Sequence, residues 1–250
     1  MGLFKKSKKS KEPEAKIIGK SEDGTPIYEY SEIKKTGWTI PTFAEHMEEI
    51  EEYMNNQYPG RETIVLHEIF SDIVHIDVHV MKPTEEDPYY VVYTTGMSAL
   101  KMNVPKMKGD SKEDYELAEL MIYLPENWDF SEDEKAGMKE ESYWIIDFMK
   151  FIARFPHEYK TFFSGGHTIP NGGDYEPFVE GTGLSGVLLL PIHEFIEIQD
   201  GSKVNMLFMM LTYKEEMEYK LKKGYDALIQ RFEEEDIPFI LDLKRKNVCV

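Results

Sequence analysis

Apolar residues recur at helical spacing in three segments of the chain, residues 43–54, 141–155 and 214–232, and each predicts an amphipathic α-helix. A capping box at residues 42–45 precedes the first helix, and Pro156 is expected to end the second. The residues predicted to face inward in the first helix are Phe43, Met47, Ile50 and Met54. In the second they are Trp144, Phe148, Phe151, Ile152 and Phe155. In the third they are Met217, Leu221, Tyr225, Leu228 and Phe232.

Six further segments have strand character, because they are β-branched and apolar or alternate between apolar and polar positions. They are residues 63–69, 73–81, 90–95, 118–124, 186–190 and 204–213. The last is apolar almost throughout, as expected for a central strand that is covered on both faces. Helices and strands in this order predict an α+β fold, in which helices pack on a mixed, largely antiparallel sheet.

The character of the sequence changes near residue 40. Residues 1–16 contain six lysines and two glutamates without apolar periodicity, which predicts a flexible basic tail. Turn formers are frequent in residues 17–40, so we expect an irregular lead-in with room for one strand. Beyond this point no low-complexity linker divides the chain, and residues 41–250 are predicted to form a single domain.

The chain of 250 residues is 41% hydrophobic and 13% aromatic, which supplies enough apolar side chains for a core and excludes a disordered polymer. Its formal net charge of −18 disfavours nucleic acid as the main partner, because phosphate contacts depend on lysine and arginine. The same charge favours a basic protein partner. Cys249 is the one cysteine of the sequence, so a disulfide within the chain and a CxxC pair are both excluded.

The beginning of the sequence predicts a cytoplasmic protein. Lysines follow the first residues without the apolar region of a secretory signal. No stretch of the sequence approaches the run of about 18 apolar residues that is typical of a membrane span. We therefore expect no membrane association.

The most metal-like group of side chains is His75, Asp77 and His79, which occupy alternate positions of a predicted strand. Alternate strand residues share a face, so imidazole and carboxylate ligands would point the same way. This pattern leaves a metal-dependent hydrolase as an alternative function. The simpler interpretation is that a half-exposed strand carries polar residues at every second position, and we expect neither a metal nor another cofactor.

Two other motifs carry less weight. Residues 181–186 match GxGxxG, but they lead into an apolar strand, whereas a dinucleotide loop must open a helix. Ser164 with His167, and His193 with Glu194, offer a hydroxyl, two imidazoles and a carboxylate, yet sequence spacing cannot join them into a triad. We therefore assign no catalytic residue and expect a protein that is not an enzyme.

Several short motifs, in a shared order across about residues 43–243, resemble those of the Suppressor of fused (SUFU) family. The resemblance covers most of the chain. The motifs are YTTGMS at residues 93–98, AELMIYLPENW at 118–128, RFPHEY at 154–159, GGHTIPNG at 165–172, GVLLLP at 186–191, YKEE at 213–216 and KGYDAL at 223–228.

This resemblance implies a single SUFU-like α+β domain that binds another protein. The animal member holds a short peptide of its partner as an added strand. Bacterial single-domain members look like immunity proteins that neutralise a toxin by direct binding. The resemblance supplies no catalytic residues. A cytoplasmic, non-enzymatic immunity protein with a basic toxin as its partner is the leading hypothesis, and a regulator acting through another protein partner is a further alternative.

Two segments of the shared motifs are candidates for the binding surface. One is the turn of Gly96, Met97 and Ser98. The other is the loop of Gly166, His167, Thr168, Ile169, Pro170 and Asn171. Glycine and proline at turns need no ligand, so a purely structural role for both segments stays open at this point.

Overall fold

The computed structural model describes residues 15–22, 24–31, 46–69, 71, 73–106, 111–130, 140–191 and 195–250. Within them the strands are β1 (Ala15–Lys20), β2 (Pro26–Tyr30), β3 (Thr63–Leu66), β4 (Asp77–Met81), β5 (Tyr89–Thr95), β6 (Leu117–Pro125), β7 (Thr168–Pro170), β8 (Leu184–Pro191), β9 (Ile196–Glu197) and β10 (Lys203–Tyr213). The α-helices are α1 (Met47–Gln57), α2 (Glu140–Tyr159), α3 (Lys214–Lys223) and α4 (Tyr225–Glu234). Two short 3₁₀ turns span Met97–Ala99 and Lys112–Tyr115.

Eight of the strands form one sheet in the order β3-β4-β5-β6-β10-β8-β7, and β9 pairs with the beginning of β10. β10 is parallel to β6, and the other neighbours in this sheet are antiparallel. The predicted α+β fold with a mixed, largely antiparallel sheet is therefore confirmed. β10 lies inside the sheet and is buried on both faces, as its apolar sequence predicts.

Helices cover both faces of the sheet and create two hydrophobic cores. On one face, α2 packs on β4, β5 and β6 and buries Ile145 and Ile152. On the other face, α1 contributes Ile50, and α4 contributes Leu228 and Phe232. The sheet is the middle of three layers, which is the usual way for a strand with no solvent-exposed face to be covered.

Helix α2 continues beyond Pro156, so the prediction that this proline ends the helix is wrong. Proline lacks an N–H and removes one bond of the helix, but it stands in the last turn, where few bonds remain to be lost. The N–H of Thr161 donates to the carbonyl of Pro156 at 2.9 Å and closes this end. The predicted inward face is also wrong at one position, because Phe151 is 46% exposed.

The third predicted helix is in fact two helices, α3 and α4, which meet at Gly224. Gly224 has φ 93° and ψ 168°, a conformation that is essentially restricted to glycine. Its N–H donates to the carbonyl of Lys220 at 2.8 Å and ends α3. Apolar periodicity runs through the break because both helices turn a side chain into the interior, Met217 in α3 and Leu228 in α4.

Other boundaries differ by smaller amounts. β3 ends at Leu66 and not at residue 69, and β4 begins at Asp77 and not at residue 73. The capping box of residues 42–45 and the basic tail of residues 1–14 lie outside the described residues. In the described part of the chain, no helix has the length and apolar character needed to cross a bilayer.

Residues 15–30, predicted to belong to the tail and lead-in, form an antiparallel hairpin of β1 and β2. At one end the hydroxyl of Tyr30 donates to Oγ1 of Thr161 at 2.8 Å. At the other end the N–H of Glu22 donates to the carbonyl of Leu221 at 3.1 Å, an acceptor near the end of α3 that the helix itself leaves unpaired. The hairpin therefore bridges the C-terminal ends of α2 and α3.

The conformation of Gly224 gives a test of the helix break. Gly224→Ala is expected to lower the free energy of unfolding by about 1–3 kcal/mol, because alanine is strained at this φ and ψ. No heavy atom lies within 4 Å of the position that the new Cβ would take, so the loss would come from the backbone alone. Urea unfolding measures it.

Gly173→Ala is the matched control for this prediction. Its Cβ would also meet nothing within 4 Å, and its φ lies outside the left-handed region. Equal losses of stability in the two variants would contradict the backbone explanation.

Candidate protein-binding surface

Glu119 lies in β6 among apolar neighbours and is fully buried. Its carboxylate accepts hydrogen bonds from Thr94 Oγ1 at 2.7 Å, from the N–H groups of Gly96 and Ser98 at 2.9 Å each, and from Ser98 Oγ at 2.6 Å. Four donors offset much of the cost of removing the carboxylate from water. One buried side chain thus holds the turn that follows β5, although sequence reasoning assigned it no role.

The turn of Gly96, Met97 and Ser98 belongs to the interior. Gly96 has φ 106°, and a Cβ there would lie 1.9 Å from the carbonyl oxygen of His75, so only glycine fits. Met97 and Ser98 are 0% and 2% exposed, and the imidazole of His157 donates to the carbonyl of Met97 at 2.9 Å. This geometry supports the structural interpretation of the motif, since a partner could touch these side chains only after the turn had opened.

His75, Asp77 and His79 do not converge on one point. Asp77 contacts the imidazole of His75 at 3.0 Å and that of His67 at 3.0 Å. His79 instead pairs with Oγ1 of Thr95 at 2.9 Å and is 1% exposed. In the described ranges, no group of three or more His, Cys, Asp or Glu side chains is placed to hold a metal ion. The geometry therefore gives no support to the metal-dependent hydrolase alternative.

The environment of these side chains is that of a polar network within a core. Burial lowers the pKa of His79 to about 4, so this imidazole is neutral at pH 7. Burial alone would raise the pKa of Asp77, but hydrogen bonds from the N–H of Glu68 and from His67 lower it overall. Asp77 is thus a charged acceptor that joins neighbouring histidines.

Residues 181–186 and the remaining serine–histidine candidates offer no catalytic arrangement. Gly186 lies within β8, so the GxGxxG match leads into a strand, as the sequence indicates. Ser185 is buried in the same strand. His193 and Glu194 lie outside the described residues.

The loop of residues 166–171 lies at an edge of the sheet. Its middle, Thr168–Pro170, is β7, the last strand in the sheet order. A Cβ at Gly165 would lie 2.7 Å from the ring of Pro191, and one at Gly166, which has φ 83°, would lie 3.3 Å from the ring of Tyr225. These two glycines let the chain pack closely on the end of β8 and the start of α4.

The two ends of this loop are held by the fold. His167 bonds to the carbonyl of Phe162, and burial lowers its pKa to about 4. The amide nitrogen of Asn171 donates to the carbonyl of Glu176 at 2.8 Å, and its backbone N–H donates to the carbonyl of Ser185 at 2.8 Å. Between them Ile169 points inward, whereas Thr168 is partly exposed and Pro170 is exposed. The exposed part of the loop is therefore its edge strand.

A groove of about 590 Å³ opens beside the loop. Aromatic side chains of Tyr115, Phe195 and Tyr225 line it together with the polar Ser164 and Asn205. Phe195 is 40% exposed. Apolar walls with a few polar groups suit a side chain of a bound peptide, and the groove adjoins the glycines that precede β7.

Comparison with known proteins identifies the family. The sequence model of the Suppressor of fused protein (SUFU) family matches residues 72–246, well over half of the chain. The chain therefore belongs to the Suppressor of fused family. The comparisons indicate a family of non-catalytic protein-binding proteins and no enzyme family. No curated protein matches the chain significantly.

Solved structures share the fold at low sequence identity. A SUFU homolog from Neisseria gonorrhoeae is 16% identical with a TM-score of 0.58, over 80% of this chain and 95% of that one. A chain of the Sufu–Fu complex is 12% identical with a TM-score of 0.57, over 80% and 91%. Drosophila Suppressor of Fused is 12% identical with a TM-score of 0.59, over 82% of this chain and 51% of that one.

The burial of Glu119 predicts a pH dependence of stability. Burial raises its pKa to about 7 in the folded protein, against an ordinary value of 4.5, so the folded state binds more protons between these pH values. The free energy of unfolding should therefore contain a component that falls by about 3 kcal/mol as the pH rises through this interval.

Glu119→Gln should remove that component, as measured by urea unfolding at several pH values across the interval. Glu233→Gln is the control, because Glu233 is exposed. If the Glu119 variant keeps the pH slope of the parent protein, the buried carboxylate is not its source.

Proposed function

We propose that the chain is a non-enzymatic, cytoplasmic protein-binding domain that acts as an immunity protein and neutralises a toxin by direct binding. The observation that carries this proposal is the free edge of β7 in a member of the SUFU family. Such an edge can accept an extended segment of a partner as an additional strand.

The backbone of β7 is suited to this kind of pairing. The N–H of Leu189 donates to the carbonyl of His167, and the N–H of Asn171 donates to the carbonyl of Ser185. Because bonded and non-bonded pairs alternate in an antiparallel ladder, the N–H and carbonyl of Thr168 point away from β8. Pro170 adds an outward carbonyl without a donor. The edge therefore offers one donor and two acceptors.

The charge of the protein supports a basic partner. A net charge of −18 accelerates association with a cationic protein and makes the rate sensitive to salt. It opposes binding to nucleic acid. A basic toxin fits these requirements, and the identity of the partner separates this function from that of a regulator acting through another protein.

The proposal can be tested by capturing partners with the tagged, full-length chain from lysate of its native host at low and high salt. Mass spectrometry should identify a stoichiometric basic protein that is lost at high salt. Expression of that protein alone should arrest growth, and co-expression of the chain should restore it. A captured partner that is harmless when expressed alone would contradict the immunity role.

The edge of β7 gives a sharper prediction. Thr168→Pro removes the one outward donor without breaking a bond to β8, so partner affinity is expected to fall by about tenfold or more, since each lost hydrogen bond within an interface weakens binding. Isothermal titration calorimetry with the captured partner measures the change. Thermal unfolding of the variant shows whether the fold is retained.

Thr63→Pro is the matched control at the opposite edge of the sheet. Thr63 pairs with Met81 in β3, and the neighbouring bond from the N–H of Lys82 to the carbonyl of Glu62 places the N–H of Thr63 on the outer side by the same alternation. Equal affinities of the two variants for the partner would exclude β7 as the binding edge.

A further inference from the structure

An unbroken series of aromatic rings runs along α2. Phe178 meets Trp144 at 5.2 Å and Phe148 at 4.6 Å between ring centroids. Phe151 then follows Phe148 at 6.4 Å, and Phe155 follows Phe151 at 6.0 Å. We name these five rings, Trp144, Phe148, Phe151, Phe155 and Phe178, the aromatic ladder.

The series continues into the hairpin at the C-terminal end of α2. The ring of Tyr30 contacts that of Phe155 at 5.3 Å, and Tyr28 lies 6.2 Å from Tyr30. Tyr28 is 47% exposed, and Phe151, in the middle of the ladder, is 46% exposed. Large aromatic side chains that remain open to water in a contiguous row are typical of interaction surfaces.

Exposed carboxylates border the ladder. Asp147 precedes Phe151 by one turn on the same face of α2 and is exposed. Glu176 and Glu180, on either side of Phe178 in the chain, are exposed as well. Basic side chains near the ladder are those of Lys150 and Lys160. Aromatic faces combined with carboxylates attract cationic side chains through cation–π and ionic contacts.

We propose that the aromatic ladder docks an extended, arginine- or lysine-containing segment of a protein partner. The proposal rests on the proposed protein-binding function and specifies the chemistry of the partner. From Trp144 to Phe155 the helix rises by about 16 Å, which corresponds to about five residues of extended chain. Single-stranded nucleic acid also stacks on aromatic rings, but it requires a positively charged groove, which carboxylates on both sides of the ladder do not provide.

A hexaarginine peptide labelled with fluorescein is a direct probe, and its neutral analogue hexacitrulline controls for shape. Fluorescence anisotropy with the full chain measures the dissociation constant. Phe151→Ala is expected to weaken hexaarginine binding by about fivefold to tenfold, since cation–π contacts are of this strength. Asp147→Asn should weaken it as well, and more strongly at low salt. Hexacitrulline should bind no variant.

Phe239→Ala and Glu233→Gln are the matched controls. Phe239 is 49% exposed and contacts Phe208 on the other face of the sheet, so it tests for loss of an exposed ring at another place. Both controls should leave hexaarginine binding within about twofold of the parent chain. If Phe151→Ala and Phe239→Ala weaken binding equally, the peptide senses only the net charge and the proposal is overturned.

The ladder and the protein-binding function can fail separately. If the captured partner binds Phe151→Ala and Asp147→Asn with unchanged affinity but is lost with Thr168→Pro, the ladder is not a docking surface while the function stands. If the partner is lost with Phe151→Ala, thermal unfolding must show an intact fold, which is expected because Phe151 is half exposed. An intact Phe151→Ala variant with weakened partner binding supports the proposal.

Discussion

The structure depends on the burial of β10 on both faces. A strand without a solvent-exposed face must lie between two layers of other elements, which α2 provides on one side and α1 with α4 on the other. Its parallel pairing with β6 requires a crossover connection. That connection contains α2, β7 and β8, so the same constraint that places α2 over the sheet also carries β7 to the edge.

A buried ion pair fastens the C-terminal residues to the end of β10. Arg245 makes two bonds to the carboxylate of Glu216, at 2.7 and 2.5 Å, and a third to the carbonyl of Leu211 in β10 at 2.8 Å. The rings of Tyr213 and Phe232 flank its guanidinium at 5.0 and 5.3 Å. Loss of one partner from such a pair leaves an uncompensated buried charge and typically costs about 3–5 kcal/mol. Like Glu119, this pair shows that charges in the interior organise chain segments that have little apolar surface of their own.

Sequence patterns predict the elements well where a single period dominates and less well where a long-range contact decides. The central position of β10 follows from its apolar run, and the fold class follows from the order of elements. The break at Gly224 does not disturb the apolar period, so only the glycine itself could have indicated it. Glu119 had a readable signal, because a lone carboxylate in the apolar run of residues 117–124 must find buried donors. The exposure of Phe151 had none, since its position fits the inward stripe and only the packing of α2 turns it outward.

The candidate binding surfaces are linked through the connection between α2 and β7. Phe163, which precedes β7 in this connection, stacks on Phe155 at 5.6 Å, and Phe178 lies in the loop that follows β7. An added strand gains affinity from backbone bonds that are nearly independent of its sequence. Selectivity then has to come from side chains beside the strand, and aromatic rings bordered by carboxylates distinguish a cationic segment from a neutral one. The acidic surface of the whole protein increases the rate at which such a segment arrives, whereas the rings and the edge of β7 determine how long it stays.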